Sequence, residues 1–165
     1  GECSIFSAAL RSAQDGRPQQ LEAAELDLHV LAAVELQREV PRAAARIVAE
    51  GGTIILACEC REGVPAHSPL DRLLRSASSS EEILARLATP GFVRPEQWQA
   101  QIQSLIQRKA GVLVFSALPD EVIRAAHLAP CHDIGAAVRE RLQKLGPEAR
   151  VAVLPQGPLT IPYLA

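Results

Sequence analysis

The chain has 165 residues, of which 48% are hydrophobic and 22% are charged. This composition predicts one globular domain with its own core and excludes collagen-like, disordered and membrane-spanning chains. The 17 Lys and Arg residues nearly balance the 19 Asp and Glu residues, which argues against a surface for nucleic acid. No signal peptide opens the chain, so we expect a cytoplasmic protein. The chain starts at Gly1 and contains no methionine, so we expect a piece of a longer polypeptide or a processed product.

The first part of the chain predicts helix and linker. Residues 1–26 form an N-terminal helical or linker segment, with a turn at residues 15–18, and the Ala- and Leu-rich stretch at residues 21–36 favours helix. Pro41 fits the first turn of a further helix, which runs to Ala49 and is closed by Gly51 and Gly52. The domain proper is expected to cover residues 27–165.

Three short apolar runs then predict strands, because they are rich in Val, Ile and Leu and show no polar alternation. Such runs are typical of parallel strands that are covered on both faces. The runs are residues 53–58 (TIILAC), 112–115 (VLVF) and 151–154 (VAVL).

Between these runs, apolar residues recur every three or four positions, which predicts helices. Capping and stop signals mark their ends. The signals are Ser79 with Glu82, Pro95, Pro119, and Asp133 with Gly146. The alternation of helices and strands predicts an α/β fold, a layered and mostly parallel sheet with flanking helices in a single domain.

Ligands of open α/β sheets bind beyond the carboxyl ends of the strands, here residues 58–63, 116–119 and 155–158. In the first of these segments, Cys58 and Cys60 share one side of an extended chain, where two thiols could bind a soft metal ion or exchange a disulfide. We favour a simpler interpretation, with Cys58 a buried apolar residue and Cys60 a loop residue. A zinc site needs two more ligands, which residues 131 and 132 (Cys-His) supply only if the fold brings them close.

Two further residues are weighed as site candidates. His67 follows the first predicted strand, but a lone loop histidine is more often solvated than catalytic. Trp98, the single tryptophan, continues an apolar stripe with Ile102, Leu105 and Ile106, so its spacing favours the core. The sequence has no phosphate-binding glycine loop, nucleophile elbow or paired-carboxylate motif.

Four segments stand out by their order and spacing: residues 44–63 (AARIVAEGGTIILACECREG), 98–103 (WQAQIQ), 112–118 (VLVFSAL) and 151–162 (VAVLPQGPLTIP). Together they resemble the C-terminal domain of the nickel-dependent lactate racemase family. The stretch GGTIILACECREG is the most specific part, because a helix stop, a buried strand and a loop occur together. The resemblance covers about residues 27–162.

The resemblance implies a racemase or epimerase of 2-hydroxy acids that works through a nickel-pincer nucleotide cofactor. The cofactor and its lysine and histidine partners belong to an N-terminal domain of the same polypeptide. The resemblance therefore implies no cofactor and no metal site on this chain. The chain alone should be inactive. The C-terminal domain forms one wall of an interdomain cleft, and Trp98 corresponds to a tryptophan of the family that faces this cleft.

One departure from the family concerns substrate binding. The family carries a Gln and a Lys, three residues apart, about a dozen positions before the double glycine, and this chain has Leu36 and Glu39 there. Gln37 and Arg38 are adjacent candidates for binding the substrate, although neighbouring helix positions point about 100° apart. A carboxylate substrate favours a cation, and Glu39 would repel it.

Three functional hypotheses follow from the sequence. The first is the wall of the racemase cleft, with a small 2-hydroxy acid and the N-terminal domain as partners. The alternative is a non-catalytic α/β domain that binds a ligand or a protein and has lost the chemistry, which Leu36 and Glu39 favour. The third is a thiol metal or redox site at Cys58 and Cys60.

Overall fold

Five strands and five helices make up the described part of the chain, which comprises residues 28–33, 44–58, 60 and 64–154 of this computed structural model. The strands are β1 (Leu28–Ala33), β2 (Thr53–Ala57), β3 (Gly111–Phe115), β4 (Ala129–Pro130) and β5 (Arg150–Leu154). The helices are α1 (Pro69–Arg75), α2 (Ser80–Leu87), α3 (Gln97–Lys109), α4 (Asp120–Ala125) and α5 (Ile134–Leu145). Residues 44–47 are also helical.

The strands form one parallel sheet in the order β4-β3-β2-β1-β5. The chain thus moves outward from β1 to β4 and then crosses back, through α5, to the far edge at β5. Right-handed crossovers place the helices of the outward path on one face and α5 on the other. Helices therefore cover both faces of the sheet, and the predicted α/β fold is confirmed.

Side chains of β2 belong to the cores on both faces of the sheet. Ile54 and Leu56 pack on one face with the helical residues 44–48 and with α3, whose Ile106 is buried there. Ile55 points to the other face, where α5 covers it. A third cluster joins α1, α2 and α3 around Ile83, which is fully buried.

The helix ends lie where the sequence signals predict them. The side chain of Asp133 accepts a hydrogen bond from the Ala136 N–H at 2.8 Å and caps α5, which stops at Gly146 with φ 83°. Ser79 caps α2 in the same way. Glu82 departs slightly from the capping box, because its carboxylate accepts from the Ser78 N–H at 2.7 Å.

The prediction of helix across residues 21–36 is wrong at its C-terminal part, because Leu28–Ala33 is strand β1. Ala and Leu favour helix locally, but β1 hydrogen-bonds to β2 on one side and β5 on the other. Pairing on both edges outweighs a propensity difference of less than about 1 kcal/mol per residue. The predicted segment 1–26 lies outside the described residues.

Two predicted strands are less covered than expected. Phe115 at the end of β3 and Val151 in β5 are each 40% exposed. The helix α5 covers the middle of that sheet face, at Ile55, Leu113 and Val153, and leaves the strand ends open. The expectation of full burial holds for the interior strand β2 alone.

Candidate functional site

The carboxyl edge of the sheet gathers the segments that follow β2, β3 and β4. Ligands of doubly wound sheets bind at this edge, next to strands whose connections leave toward opposite faces. The chain returns from β1 to β2 on the α3 face and reaches the neighbouring strand β5 from the α5 face, so we take the edge beside β1 and β5 as the candidate crevice. The segments 34–43 and 155–165, which follow these two strands, lie outside the described residues, and so do Gln37 and Arg38.

Trp98 lies in the first turn of α3, at the carboxyl edge of the sheet. The other end of α3 is at the amino edge, because the Gly51 N–H, just before β2, donates to the Lys109 carbonyl at 2.8 Å. The thirteen residues of α3 span about 20 Å along the helix axis, whereas the five residues of the strand β3 span about 16 Å. The start of α3, with the backbone of Trp98, therefore lies near the carboxyl ends of the strands.

The indole of Trp98 is 45% exposed. The core interpretation is thus wrong for Trp98 and for Leu105, which is 40% exposed, although Ile102 and Ile106 do pack on the sheet. Large aromatic side chains left half-open at a sheet edge are suited to contact a ligand or another domain. Periodicity alone could not find this, because the apolar stripe continues through Trp98 without a break.

Glu96 fixes the start of α3 and hence the backbone of Trp98. It has a left-handed φ of 62°, and its carboxylate accepts a hydrogen bond from the Leu70 N–H in α1 at 3.1 Å. The side chain of Gln97 accepts from the Arg94 N–H at 2.7 Å. Two side-chain contacts to backbone N–H groups therefore hold the turn that presents the indole.

Phe115 adds a second exposed aromatic ring at the carboxyl edge. Leu113, two residues earlier in β3, packs toward α5, so Phe115 points to that same face. Trp98 and Phe115 therefore lie at one edge but on opposite faces of the sheet. The apolar run at residues 112–115 gave no sign of this exposure.

Cys58 and Cys60 follow β2 at the same edge and are both buried. Their Sγ atoms lie 2.9 Å apart. Burial, and then the hydrogen bond to Cys60, raise the pKa of the Cys58 thiol well above its usual range. Cys58 is buried and Cys60 lies in the loop after β2, as the simpler interpretation predicts, and the side chain of Cys60 also joins the core.

Cys131 does not complete a metal site with these two thiols. It packs with Ile55 on the α5 face, whereas Cys58 and Cys60 pack on the α3 face. The neighbouring His132 instead pairs with Asp120, at 3.2 Å between Nε2 and Oδ1, and its side chain is 77% exposed. Among the residues that the structure describes, no three His, Cys, Asp or Glu side chains converge to hold a metal ion.

His67 lies in the segment between β2 and α1, and its side chain is exposed. Its backbone has a left-handed φ of 64°, and its N–H donates to Asp71 Oδ2 at 3.0 Å. Asp71 also accepts from the Arg75 side chain at 2.7 Å. His67 therefore contacts the buried carboxylate of Asp71 through its backbone N–H, and this carboxylate also holds the start of α1.

Replacement of Asp71 by asparagine is expected to lower the free energy of unfolding by about 1–2 kcal/mol at pH 7, since hydrogen bonds to a buried charge are lost. The His67 N–H, and then Arg75, lower the pKa of the Asp71 carboxyl. The stabilisation is therefore present above about pH 4 and disappears as the pH falls through the lowered pKa. Urea unfolding of both proteins from pH 7 to pH 2 measures this difference.

The matched control is Asp120→Asn, because Asp120 pairs with Arg124 at the same spacing but on the surface. We expect a change below about 0.5 kcal/mol for that variant. If the difference in free energy of unfolding between wild type and Asp71→Asn does not change with pH, the proposed role of the carboxylate charge is wrong.

The architecture defines the class of protein as a doubly wound α/β domain with its candidate ligand site at the carboxyl edge. The family model for the lactate racemase C-terminal domain matches residues 26–161. The chain therefore belongs to the family of lactate racemase C-terminal domains. The resemblance seen in the sequence is confirmed.

A solved structure supports the fold independently. The lactate racemase apoprotein from Thermoanaerobacterium thermosaccharolyticum superposes with a TM-score of 0.68 at 20% identity, over 82% of this chain. The match covers 35% of that protein, so this chain spans about a third of its length. No curated protein matches the chain. In the described part of the chain, every helix is too short or too polar to cross a membrane.

Proposed function

We propose that this domain forms one wall of the active-site cleft of a 2-hydroxy-acid racemase or epimerase. The remaining wall belongs to an N-terminal domain of the same polypeptide, which in this proposal is cytoplasmic. Membership of the lactate racemase C-terminal family and the small share of the solved racemase that this chain spans support the two-domain arrangement. The observation that carries the proposal is the half-exposed Trp98 at the carboxyl edge.

The cleft wall gains its shape from the fixed start of α3. Glu96 and Gln97 hold the backbone on both sides of the turn, so the indole of Trp98 is presented from a rigid element. A flat apolar surface in that position excludes water from a small substrate and limits its orientations. We therefore assign Trp98 to the lining of the cleft.

Gln37 and Arg38 are proposed to bind the substrate carboxylate. They come four and five residues after the last residue of β1, the strand next to the crevice. A guanidinium binds a carboxylate through two parallel hydrogen bonds, which fixes the acid and favours its charged form. Glu39 would oppose this charge, so the proposal requires Arg38 to face the cleft.

The nickel-pincer nucleotide is assigned to the N-terminal domain. The described residues do not form a nickel site, since Cys58 and Cys60 are two donors without a third nearby. Their position in the apolar core also does not fit a cofactor that must meet the substrate. The part played by this chain is therefore binding, orientation and exclusion of water.

The proposal is tested with the complete polypeptide loaded with nickel-pincer cofactor. Single enantiomers of lactate and of larger 2-hydroxy acids are incubated with it, and chiral chromatography follows the appearance of the opposite enantiomer. We expect interconversion of at least one acid, and no activity from residues 1–165 alone. If no 2-hydroxy acid is racemised by the loaded protein, the racemase proposal is wrong.

Replacement of Arg38 by alanine is expected to raise KM for the 2-hydroxy acid about tenfold with a smaller change in kcat. The reason is the loss of a charge-assisted contact that acts in the ground state as well as in the transition state. Initial rates over a range of substrate concentrations give both constants.

Arg46→Ala is the control for this variant, because Arg46 is an exposed arginine eight positions along the same stretch. We expect its KM to stay at the wild-type value. Equal KM values for Arg38→Ala and wild type would remove Arg38 from the site.

A non-catalytic binding domain is the second candidate, and Leu36 and Glu39 favour it. Both replace residues that face the substrate in the family that this chain resembles. In that case the complete protein binds a 2-hydroxy acid, detected by calorimetry, and never inverts it.

A further inference from the structure

Two buried thiols at the end of β2 lie unusually close together. The Sγ atoms of Cys58 and Cys60 are separated by 2.9 Å, and a disulfide requires about 2.05 Å. An approach of about 0.9 Å is therefore sufficient to form a bond. Both cysteines are free in this structure.

The backbone at each of the two cysteines is described by the structure. The Cys58 N–H donates to the Phe115 carbonyl at 3.0 Å, which extends the pairing of β2 with β3 by one residue. Cys60 then has a left-handed φ of 54°. In a fully extended strand, residues i and i+2 are about 6.6 Å apart, near the upper limit for a disulfide. The left-handed φ shows that the extended conformation of β2 does not continue through Cys60.

The surroundings favour a bond between the sulfur atoms over a metal ion. Both side chains are more than nine-tenths buried in the apolar cluster on the α3 face. No third ligand is supplied by the described residues, and Cys131 lies on the opposite face of the sheet. A disulfide needs no further partner and has no polar hydrogen to bury.

We propose that Cys58 and Cys60 form a reversible disulfide by exchange with a small-molecule disulfide. A thiolate of the pair attacks one sulfur of the small disulfide, whose S–S bond breaks and releases one thiol. The second cysteine then attacks the mixed disulfide, the Cys58–Cys60 bond forms, and the second small thiol leaves. The protein loses two protons and two electrons, and the small disulfide gains both as it becomes two thiols.

This site is distinct from the proposed racemase function and does not depend on it. The raised pKa of the Cys58 thiol slows its attack at neutral pH, because the thiolate is the nucleophile. Oxidation is therefore expected to accelerate as the pH rises from 7 to 9. Reduction by dithiothreitol restores both thiols.

The experiment equilibrates the purified native protein with mixtures of glutathione and glutathione disulfide, and then alkylates the remaining free thiols. Trypsin releases residues 47–61, which contain Cys58 and Cys60 and no other cysteine. Mass spectrometry of that peptide separates the internal disulfide from the doubly alkylated and glutathionylated forms. We expect the internal disulfide, lost in Cys60→Ser and kept in Cys131→Ser.

The same glutathione titration in denaturant measures how much the fold favours formation of the disulfide. Because the fold holds the two sulfur atoms together, we expect the disulfide to form at a glutathione disulfide concentration at least about tenfold lower in the native protein. The proposal is overturned if the native peptide is doubly alkylated throughout, if it carries glutathione alone, or if the denatured protein oxidises as readily.

Discussion

Replacement of Trp98 by alanine in the complete, cofactor-loaded enzyme is expected to lower kcat/KM for racemisation about 100-fold, equivalent to about 2.7 kcal/mol of transition-state stabilisation. The indole is half exposed at the carboxyl edge, where its removal opens the cleft wall to water. A small substrate that is free to rotate loses the alignment on which the rate of racemisation depends. Steady-state kinetics with the preferred 2-hydroxy acid measure the effect.

Two variants make this result specific. Trp98→Phe keeps an aromatic surface and should retain most of the activity, with a loss of no more than about tenfold. Leu105→Ala removes a side chain of the same helix that is equally open, at 40% exposure, but two turns nearer the amino edge. Its kcat/KM is expected to match wild type. If Leu105→Ala and Trp98→Ala lose activity equally, the cause is the stability of α3 and the cleft role of Trp98 is wrong.

Helix boundaries were the most accessible part of the fold from the sequence, because each depends on a local hydrogen bond. Asp133, Ser79 and Gly146 act through atoms within four residues along the chain. The interior strand β2 was equally accessible, since its apolar run is long enough to be covered on both faces. These features require no knowledge of the rest of the molecule.

Features that depend on distant partners were not accessible in the same way. The strand β1 is strand because β2 and β5 pair with it, although the composition of the stretch around it favours helix. The short strand β4 pairs with β3 through Ala129 and Pro130 alone, too few residues for any periodicity. Parallel pairing across long connections leaves no local mark in the sequence.

The candidate site also combines features that local sequence predicts with features that depend on distant parts of the chain. The sequence places Cys58, Cys60 and Trp98 near strand ends or helix starts, and Cys58 is buried as its apolar run predicts. The burial of Cys60 and the exposure of Trp98 did not follow from their local pattern. Cys60 is buried although it lies in the loop after β2, and Trp98 is 45% exposed although its spacing continues an apolar stripe. Resemblance to a family is the basis on which we propose a cleft role for Trp98, whereas its periodicity alone predicts a core position.

Replacement of Ile54 by alanine is expected to lower the free energy of unfolding by about 3–4 kcal/mol, the usual cost of a cavity in a rigid core. Ile54 is fully buried in β2, where its backbone pairs with Val30 of β1 and Val112 of β3. The helices above and the strands beside it are fixed by other contacts, so the space cannot close easily. Urea unfolding should show an earlier midpoint with an unchanged slope.

Two controls separate the cavity from strand propensity. Ile54→Val removes one methylene group and should cost about 1 kcal/mol. Val151→Ala changes a β-branched residue of β5 that is 40% exposed, and should cost less than about 1 kcal/mol. A loss in Val151→Ala as large as in Ile54→Ala would mean that strand propensity, and not burial in the central strand, sets the stability of this sheet.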